Sequence, residues 1–450
     1  MKPKYCVLVL LIVATAINAS ALTGRWRGEL NLGNTRLPLV FNFSTDSDGA
    51  PSATMDSPMQ NSSDMALKVL FISPDSVSVE CTGIGATYNG KLLPDNTIEG
   101  VFTQRGFRFP LTLSGEKPLS ERRPQTPAAP FPYTATDTVF VSGDGTELAG
   151  TLTFPVTGAG SPCPVVVMVT GSGPQNRDEE IFEHRPFAVI ADHLARNGIA
   201  SFRYDDRGVA SSKGNFPSAT IDSFLTDARS ALKFVQETGM FGKAGILGHS
   251  EGGTLAALIA SEGEPDFIVS LAGMVVPAKE TLLEQNRRQV EKMPFSETQK
   301  ESSIALISTL FDIMIDQVRS GQPRTPLDID SICREQALEV PAVVKESVKR
   351  NYSARNAYFD SLLSLDPSMC LTEIKCPVLA INGLMDTQVN ATANLNMFAS
   401  RVKNALIRPM DGLNHLMQHA TTGDSSEYGE ITETISPEVL DIITEFISEQ

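Results

Sequence analysis

Apolar and polar residues alternate in short runs through the first part of the chain. RWRGELNL, LPLVFNFS, ALKVLFIS, SVSVEC, TIEGVFTQ and FRFPLTLS follow one another at regular spacing. Turn-forming pairs separate them, among them Gly33-Asn34, Asp48-Gly49, Asn89-Gly90 and Pro94-Asp95. A period of two with this punctuation predicts a small all-β sandwich or barrel over residues 22–115. From residue 133 the pattern changes. Two strand-like runs, DTVFVS and ELAGTLTFP, flank a Gly143-Asp144-Gly145 turn. PVVVMV is then continuously apolar, as in a strand covered on both faces. PFAVIADHLARNG, IASFRYDD, IDSFLTDARSALKFVQETG, KAGILGHS, GGTLAALIASEG and DFIVSLAG alternate between helical and extended patterns. This βαβ alternation predicts an α/β domain over residues 133–450, with a mostly parallel sheet flanked by helices. It breaks near residue 275 and resumes with PVLAINGLMD, ALIRPMDG and a last helix from Pro437. Residues 275–370 in between are polar and helix-prone. They predict a helical cap inserted between two strands of the sheet, placed to cover an active site.

Two further stretches complete the organisation. EKPLSERRPQTPAAPFPY carries Pro118, Pro124, Pro127, Pro130 and Pro132, which make residues 116–132 a stiff, extended linker and a domain boundary. At the start, Lys2 and Lys4 precede an apolar run from Tyr5 to Ala16, and Ala19-Ser20-Ala21 offers a small-x-small cleavage site. The run is too short to span a membrane. Residues 1–21 therefore read as a Sec signal peptide, and the mature protein is expected to be soluble and exported, periplasmic or extracellular.

Composition narrows the class of function. Of 450 residues 41% are hydrophobic and 20% charged, the profile of an ordinary globular protein. Removal of Lys2 and Lys4 takes the formal net charge from −16 to −18. So acidic a surface disfavours nucleic acid and anionic membranes as partners. The cysteines left after cleavage are Cys81, Cys163, Cys333, Cys370 and Cys376, whose spacing fits no zinc site. Export permits a Cys370–Cys376 disulfide, and buried thiols without a bridge are the equal alternative.

The candidate chemistry centres on Gly248-His249-Ser250-Glu251-Gly252. It matches G-x-S-x-G, the sharp strand-to-helix turn that presents a nucleophilic serine. It follows an apolar strand, precedes an alanine-rich helix and lies midway along the βαβ series. Glycines at 248 and 252 let strand and helix approach closely. The helix starting after Ser250 directs free N–H groups at a reacting oxygen, and the Glu251 amide is a candidate oxyanion donor.

With this motif in place, residues 133–450 resemble the α/β-hydrolase superfamily. They are most similar to bacterial serine hydrolases of the esterase and prolyl-oligopeptidase-like branch. VTGSGPQNRDE, RYDDRGVASSKG, GHSEGG, INGLMDTQV and GLNHLMQ fall in the family's order. The resemblance implies an α/β-hydrolase fold and the triad order Ser, Asp or Glu, His. Five histidines are present: 184, 193, 249, 415 and 419. His249 adjoins the serine and must point away from it, and His184 and His193 precede it. His415 matches the family motif in GLNHLMQ and is the expected base, with His419 a solvated neighbour. Asp386, at the end of PVLAINGLMD, is the expected acid. Asp411 is the alternative, more simply a turn former.

By the same resemblance the second oxyanion donor is the Ser172 amide in Thr170-Gly171-Ser172-Gly173-Pro174, with Gly173 as the alternative. Gly173, Gln175, Asn176 and Arg177 are expected to line the substrate pocket, with a salt bridge from Arg177 to an acid such as Asp178 as its structural alternative. Arg207 is expected to lock its loop beside acidic residues, and Asp222 and Asp227 to mark a helix start and a solvated face. The expectation is an exported serine hydrolase acting on a small-molecule ester or acyl substrate, with no metal or cofactor. A serine peptidase or aminopeptidase on the same scaffold and a non-catalytic binding protein are the alternatives.

Overall fold

A computed structural model of the chain describes residues 22–31, 36–46, 50–57, 60, 62–73, 75–116, 119–155, 162–321 and 326–450. The expected signal peptide lies outside the described residues. The chain divides into two compact units, with the boundary between Arg122 and Arg123.

In the first unit the alternating runs form β1 (Gly24–Asn31), β2 (Arg36–Thr45), β3 (Pro51–Ser57), β4 (Ser62–Ser73), β5 (Ser76–Cys81), β6 (Ala86–Leu92), β7 (Thr97–Gln104) and β8 (Phe107–Gly115). Each pairs antiparallel with the next, and β1 pairs with β8, so the sheet closes. Of the two architectures the pattern allows, the unit is a barrel. One face of each strand turns inward around Trp26, Phe41, Met55, Tyr88 and Phe102. The one polar group on buried Tyr88 is satisfied, because its hydroxyl donates to the Ile98 and Leu111 carbonyls at 3.0 and 3.2 Å. One helical turn, α1 (Leu119–Arg122), ends the unit.

The second unit holds β9 (Thr134–Val141), β10 (Glu147–Phe154), β11 (Val165–Val169), β12 (Ala200–Tyr204), β13 (Ala244–His249), β14 (Ile268–Leu271), β15 (Val378–Gly383) and β16 (Leu406–Met410). They form one sheet in the order β16-β15-β14-β13-β11-β12-β10-β9. The six strands from β11 to β16 run parallel, and β9 and β10 add an antiparallel hairpin at the edge. The continuous apolar character of β11 has a direct cause. Val165, Val167 and Val169 face a core shared with α3 (Ile221–Glu237), α4 (Glu251–Ser261) and α10 (Ala391–Arg401). Val166 and Met168 face the opposite core, with α2 (Pro186–Arg196) and α11 (Pro437–Ser448). Both faces are covered, so no position calls for a polar residue.

Between β14 and β15 the described residues form five α-helices: α5 (Ala278–Glu291), α6 (Glu297–Ser320), α7 (Ile329–Glu335), α8 (Ala342–Ala354) and α9 (Ala357–Leu363). Two small apolar clusters hold them together, one around Val290, Ile307, Phe311 and Leu363, the other around Leu306, Leu310 and Ile329. A capping box at Ser296 and Gln299 starts α6, and Gly321 ends it in a left-handed conformation.

Two local features differ from the sequence reading, and a third settles a choice it left open. Part of the expected linker packs into the second unit: Arg123 is buried and donates to the carbonyls of Phe182, Gly429 and Ile431. Asp227 is not on a solvated face. It lies within the buried stripe of α3, beside Phe224, Ala228 and Ala231, where the Arg207 guanidinium meets both its oxygens at 2.7 and 2.6 Å. Cys370 and Cys376 form no disulfide, and the other three described cysteines are also free thiols.

Candidate functional site

β13 ends at His249 and α4 starts at Glu251, so Ser250 makes the turn alone. Its backbone has φ 53° and ψ −117°, a region that non-glycine residues adopt only under constraint. The constraint is visible. The Ser250 amide donates to the Leu271 carbonyl at 2.8 Å, and its own carbonyl accepts the Gly253 and Thr254 amides. The flanking glycines are required by space. A methyl group at Gly248 would lie 2.0 Å from the Gly252 carbonyl oxygen, and one at Gly252 would lie 2.0 Å from that of Val169. Both obstacles are backbone and cannot swing aside.

Asp386 follows β15, and His415 lies in the loop after β16. His415 Nδ1 is 2.7 Å from Asp386 Oδ2, and the carboxylate side chain is fully buried. The other carboxylate oxygen accepts the amides of Gln388 and Val389 at 2.7 and 2.9 Å. Three donors thus hold the carboxylate against the ring and fix the ring's orientation. Asp411 makes no such contact. Ser250 and His415 line one cavity of about 310 Å3, which Ser172, Met274, Tyr358 and Leu362 also border. No hydrogen bond joins the Ser250 hydroxyl to His415, and such contacts commonly tighten only when substrate binds.

The loop after β11 forms the opposite wall. Gly171 donates its amide to Glu179 Oε1 at 2.7 Å. The amides of Ser172 and Glu251 meet no protein acceptor among the described residues. Asp206 braces the loop by accepting the Thr170 hydroxyl and the Gln175 amide, each at 3.0 Å, and its burial pushes its carboxyl up to about 8.

Of the residues expected to line the pocket, Gln175 does so beside Ser172; Gly173, Asn176 and Arg177 do not. Arg177 faces the other way, donating to Asp205 at 2.7 and 3.0 Å, to Asp137 at 3.0 Å and to the Thr151 hydroxyl at 2.7 Å. Its partner is therefore not Asp178, which pairs with Arg203. Asn176 accepts the amides of Asp178 and Glu180 and shapes a turn.

Four of the five histidines have other partners. His184 is buried between the Thr434 hydroxyl and the Tyr428 carbonyl, each at 2.9 Å. His193 lies 3.4 Å from Asp441, and exposed His419 meets Glu433 at 2.9 Å. His249 borders the cavity, with its ring nitrogens on Glu179 and the His415 backbone.

Among the cavity residues that the sequence did not single out, two hold parts of the site together. The Tyr358 hydroxyl, from α9, donates to Glu251 Oε2 at 2.6 Å, and Ser172 Oγ donates to the same oxygen at 3.0 Å. Burial raises the Glu251 carboxyl and the Tyr358 phenol above their ordinary values. Glu179 is the other. No spacing distinguishes it from Asp178 and Glu180 beside it.

Comparison with known proteins adds an independent line. Residues 183–419 match the family described as serine aminopeptidase, S33. The esterase EstD of Thermotoga maritima is 28% identical over 273 residues, 60% of this chain and 58% of EstD. The chain thus spans less than two thirds of that relative. Among solved structures the chain is similar to hypothetical protein PA2218 of Pseudomonas aeruginosa, at 14% identity over 72% of this chain and 96% of that one, with a TM-score of 0.46. It is also similar to the esterase Pf2001 of Pyrococcus furiosus, at 16% identity over 70% and 91%, with a TM-score of 0.44. With its parallel-rich sheet, its serine turn and a family match across more than half its length, the chain belongs to the serine aminopeptidase, S33 family of α/β-hydrolases.

Proposed function

We propose that the protein hydrolyses carboxylic esters through an acyl-enzyme on Ser250, with His415 as general base and Asp386 as its orienting acid. The observation that carries this reading is the 2.7 Å contact between His415 Nδ1 and buried Asp386, with His415 and Ser250 on the same cavity. A serine hydroxyl is a weak nucleophile until a neighbouring base takes its proton. With Nδ1–H bonded to Asp386, the His415 proton acceptor is Nε2.

Ser250 Oγ attacks the acyl carbonyl as His415 Nε2 takes its proton. The tetrahedral oxyanion rests on the amides of Ser172 and Glu251, which have no competing acceptor among the described residues. His415 then gives the proton to the departing alkoxide, so the alcohol leaves neutral. Water, deprotonated by the same imidazole, attacks the acyl-enzyme and frees the acid and Ser250. The family description favours a second reading, cleavage of an aminoacyl amide by the same steps. Turnover of short p-nitrophenyl esters set against aminoacyl anilides separates the two. Esters turned over much faster than anilides support the first reading, and the reverse order supports the second. Export of the mature chain through residues 1–21 is part of the proposal, tested by fractionation of cells expressing the full sequence.

A further inference from the structure

His249 adjoins Ser250 in the chain, and both nitrogens of its ring face acceptors. Nε2 lies 3.0 Å from the main-chain carbonyl oxygen of His415. A carbonyl oxygen can only accept, so Nε2 carries a hydrogen. Nδ1 lies 2.9 Å from Glu179 Oε1. That oxygen also accepts the Gly171 amide at 2.7 Å, the arrangement of one carboxylate oxygen shared by two N–H donors. With Nδ1 as the second donor the imidazole is protonated at both nitrogens and is a cation. The charged or titratable groups facing it are Glu179 from the loop after β11, Asp386 from the loop after β15, and the His415 ring, centred 4.8 Å away. Burial opposes the cation and is the largest single influence. The charge and hydrogen bond of Glu179 outweigh it together with the His415 carbonyl, and His249 stands above the ordinary histidine value.

We propose that His249 and Glu179 form an imidazolium–carboxylate clamp that positions the oxyanion loop and the base loop around Ser250. Through the His415 carbonyl the clamp holds the backbone of the base. Through the Gly171 amide it holds the residue preceding Ser172. A neutral His249 has one N–H and can serve only one of its two acceptors. Loss of its proton therefore releases one wall of the site, and activity falls on the alkaline side. Neither residue touches the reacting atoms; both are positioning residues. The effect on catalysis rests on the ester-hydrolase reading above, whereas the protonation state does not.

Two measurements test the clamp. The first is the long-range proton–nitrogen correlation spectrum of full-length protein labelled with 15N-histidine, with the His249 signals assigned by His249→Gln. The proposal expects both His249 ring nitrogens protonated at neutral pH. A neutral imidazole there overturns it, whether or not any ester is turned over. The second is the pH profile of kcat and KM on a short p-nitrophenyl ester for Glu179→Gln and Glu179→Asp. Gln removes the charge. Because one oxygen serves both donors, an amide can also satisfy only one of Gly171 and a neutral His249 without leaving another contact bare. Its alkaline limb should move to lower pH, and kcat near neutral pH should fall roughly ten- to a hundredfold with little change in KM, as for a small misplacement of reacting groups. Asp keeps the charge and should retain the wild-type limb. A Gln profile that overlies the wild type overturns the proposal. If Glu179→Gln does not fold, the wild-type spectrum decides alone.

Discussion

Replacing Asp386 with asparagine exchanges one oxygen for an NH2 group at nearly constant volume. In the native site one carboxylate oxygen accepts two backbone amides, at 2.7 and 2.9 Å, and the other accepts His415 Nδ1–H at 2.7 Å. The NH2 group of an asparagine cannot face two N–H donors, so the side chain places its oxygen there and its NH2 against Nδ1. An NH2 donor at that point requires a bare Nδ1. The ring hydrogen moves to Nε2, the nitrogen that has to receive the proton of Ser250. The imidazole is then held in the tautomer that cannot act as the base. Locking the wrong tautomer costs about 10^4-fold in kcat, or about 5 kcal/mol of transition-state stabilisation. Packing is preserved, so the melting temperature should move by no more than a few degrees. The assay is hydrolysis of p-nitrophenyl acetate near neutral pH by Asp386→Asn, with a thermal melt of the same sample. A folded variant with kcat within tenfold of wild type would refute the orientation argument.

Three further outcomes follow from the packing. Gly252→Ala puts a methyl group 2.0 Å from a backbone oxygen and should cost at least about 3 kcal/mol or prevent soluble expression; a wild-type melting temperature would contradict this. Asp227→Asn leaves the buried Arg207 guanidinium with only the exposed Asp144 carboxylate as counter-charge and should destabilise by about 3 kcal/mol in urea, the low end for a broken buried pair, whereas Arg207→Met with Asp227→Leu should recover most of the loss. Burial holds His184 down at about 4, below the value near 6.5 of an unfolded histidine. Below that higher value the unfolded chain binds the proton and the native one does not. The His184 contribution, about 3 kcal/mol, is therefore present above pH 6.5 and lost as pH falls toward 4. Urea curves across that range should be flatter for His184→Gln than for wild type, and equal slopes would refute the assignment.

How much of this could be read from the sequence depended on the range of the interaction. The strands of the sheet could be read because burial on both faces writes itself locally: Val165–Val169 admits no polar residue. The serine turn was equally plain, since a strand, a G-x-S-x-G and an alanine-rich helix are contiguous. The contact of Asp386 with His415 came from family order, because nothing local joins residues 29 positions apart. What could not be read was which acid meets which base. Arg177 has Asp178 beside it in sequence, yet the turn at Asn176 directs it to Asp205 and Asp137. Asp227 has the composition of an exposed helix face and becomes buried only because Arg207 arrives from the loop after β12. Tyr358 reaches the site from the cap, whose helices carry no pattern that says which side chains turn toward Ser250. Glu179 meets His249 across 70 positions, in an acidic run where three neighbours look alike.

On the proposed mechanism Ser250 is the residue that carries the acyl group. Treatment of the wild-type protein with a fluorophosphonate, followed by peptide mass spectrometry, reads this directly. The expected result is a single covalent adduct on Ser250, loss of ester turnover in step with its formation, and neither labelling nor turnover in Ser250→Ala. An adduct on another residue, or a Ser250→Ala variant that hydrolyses esters at the parental rate, would contradict it.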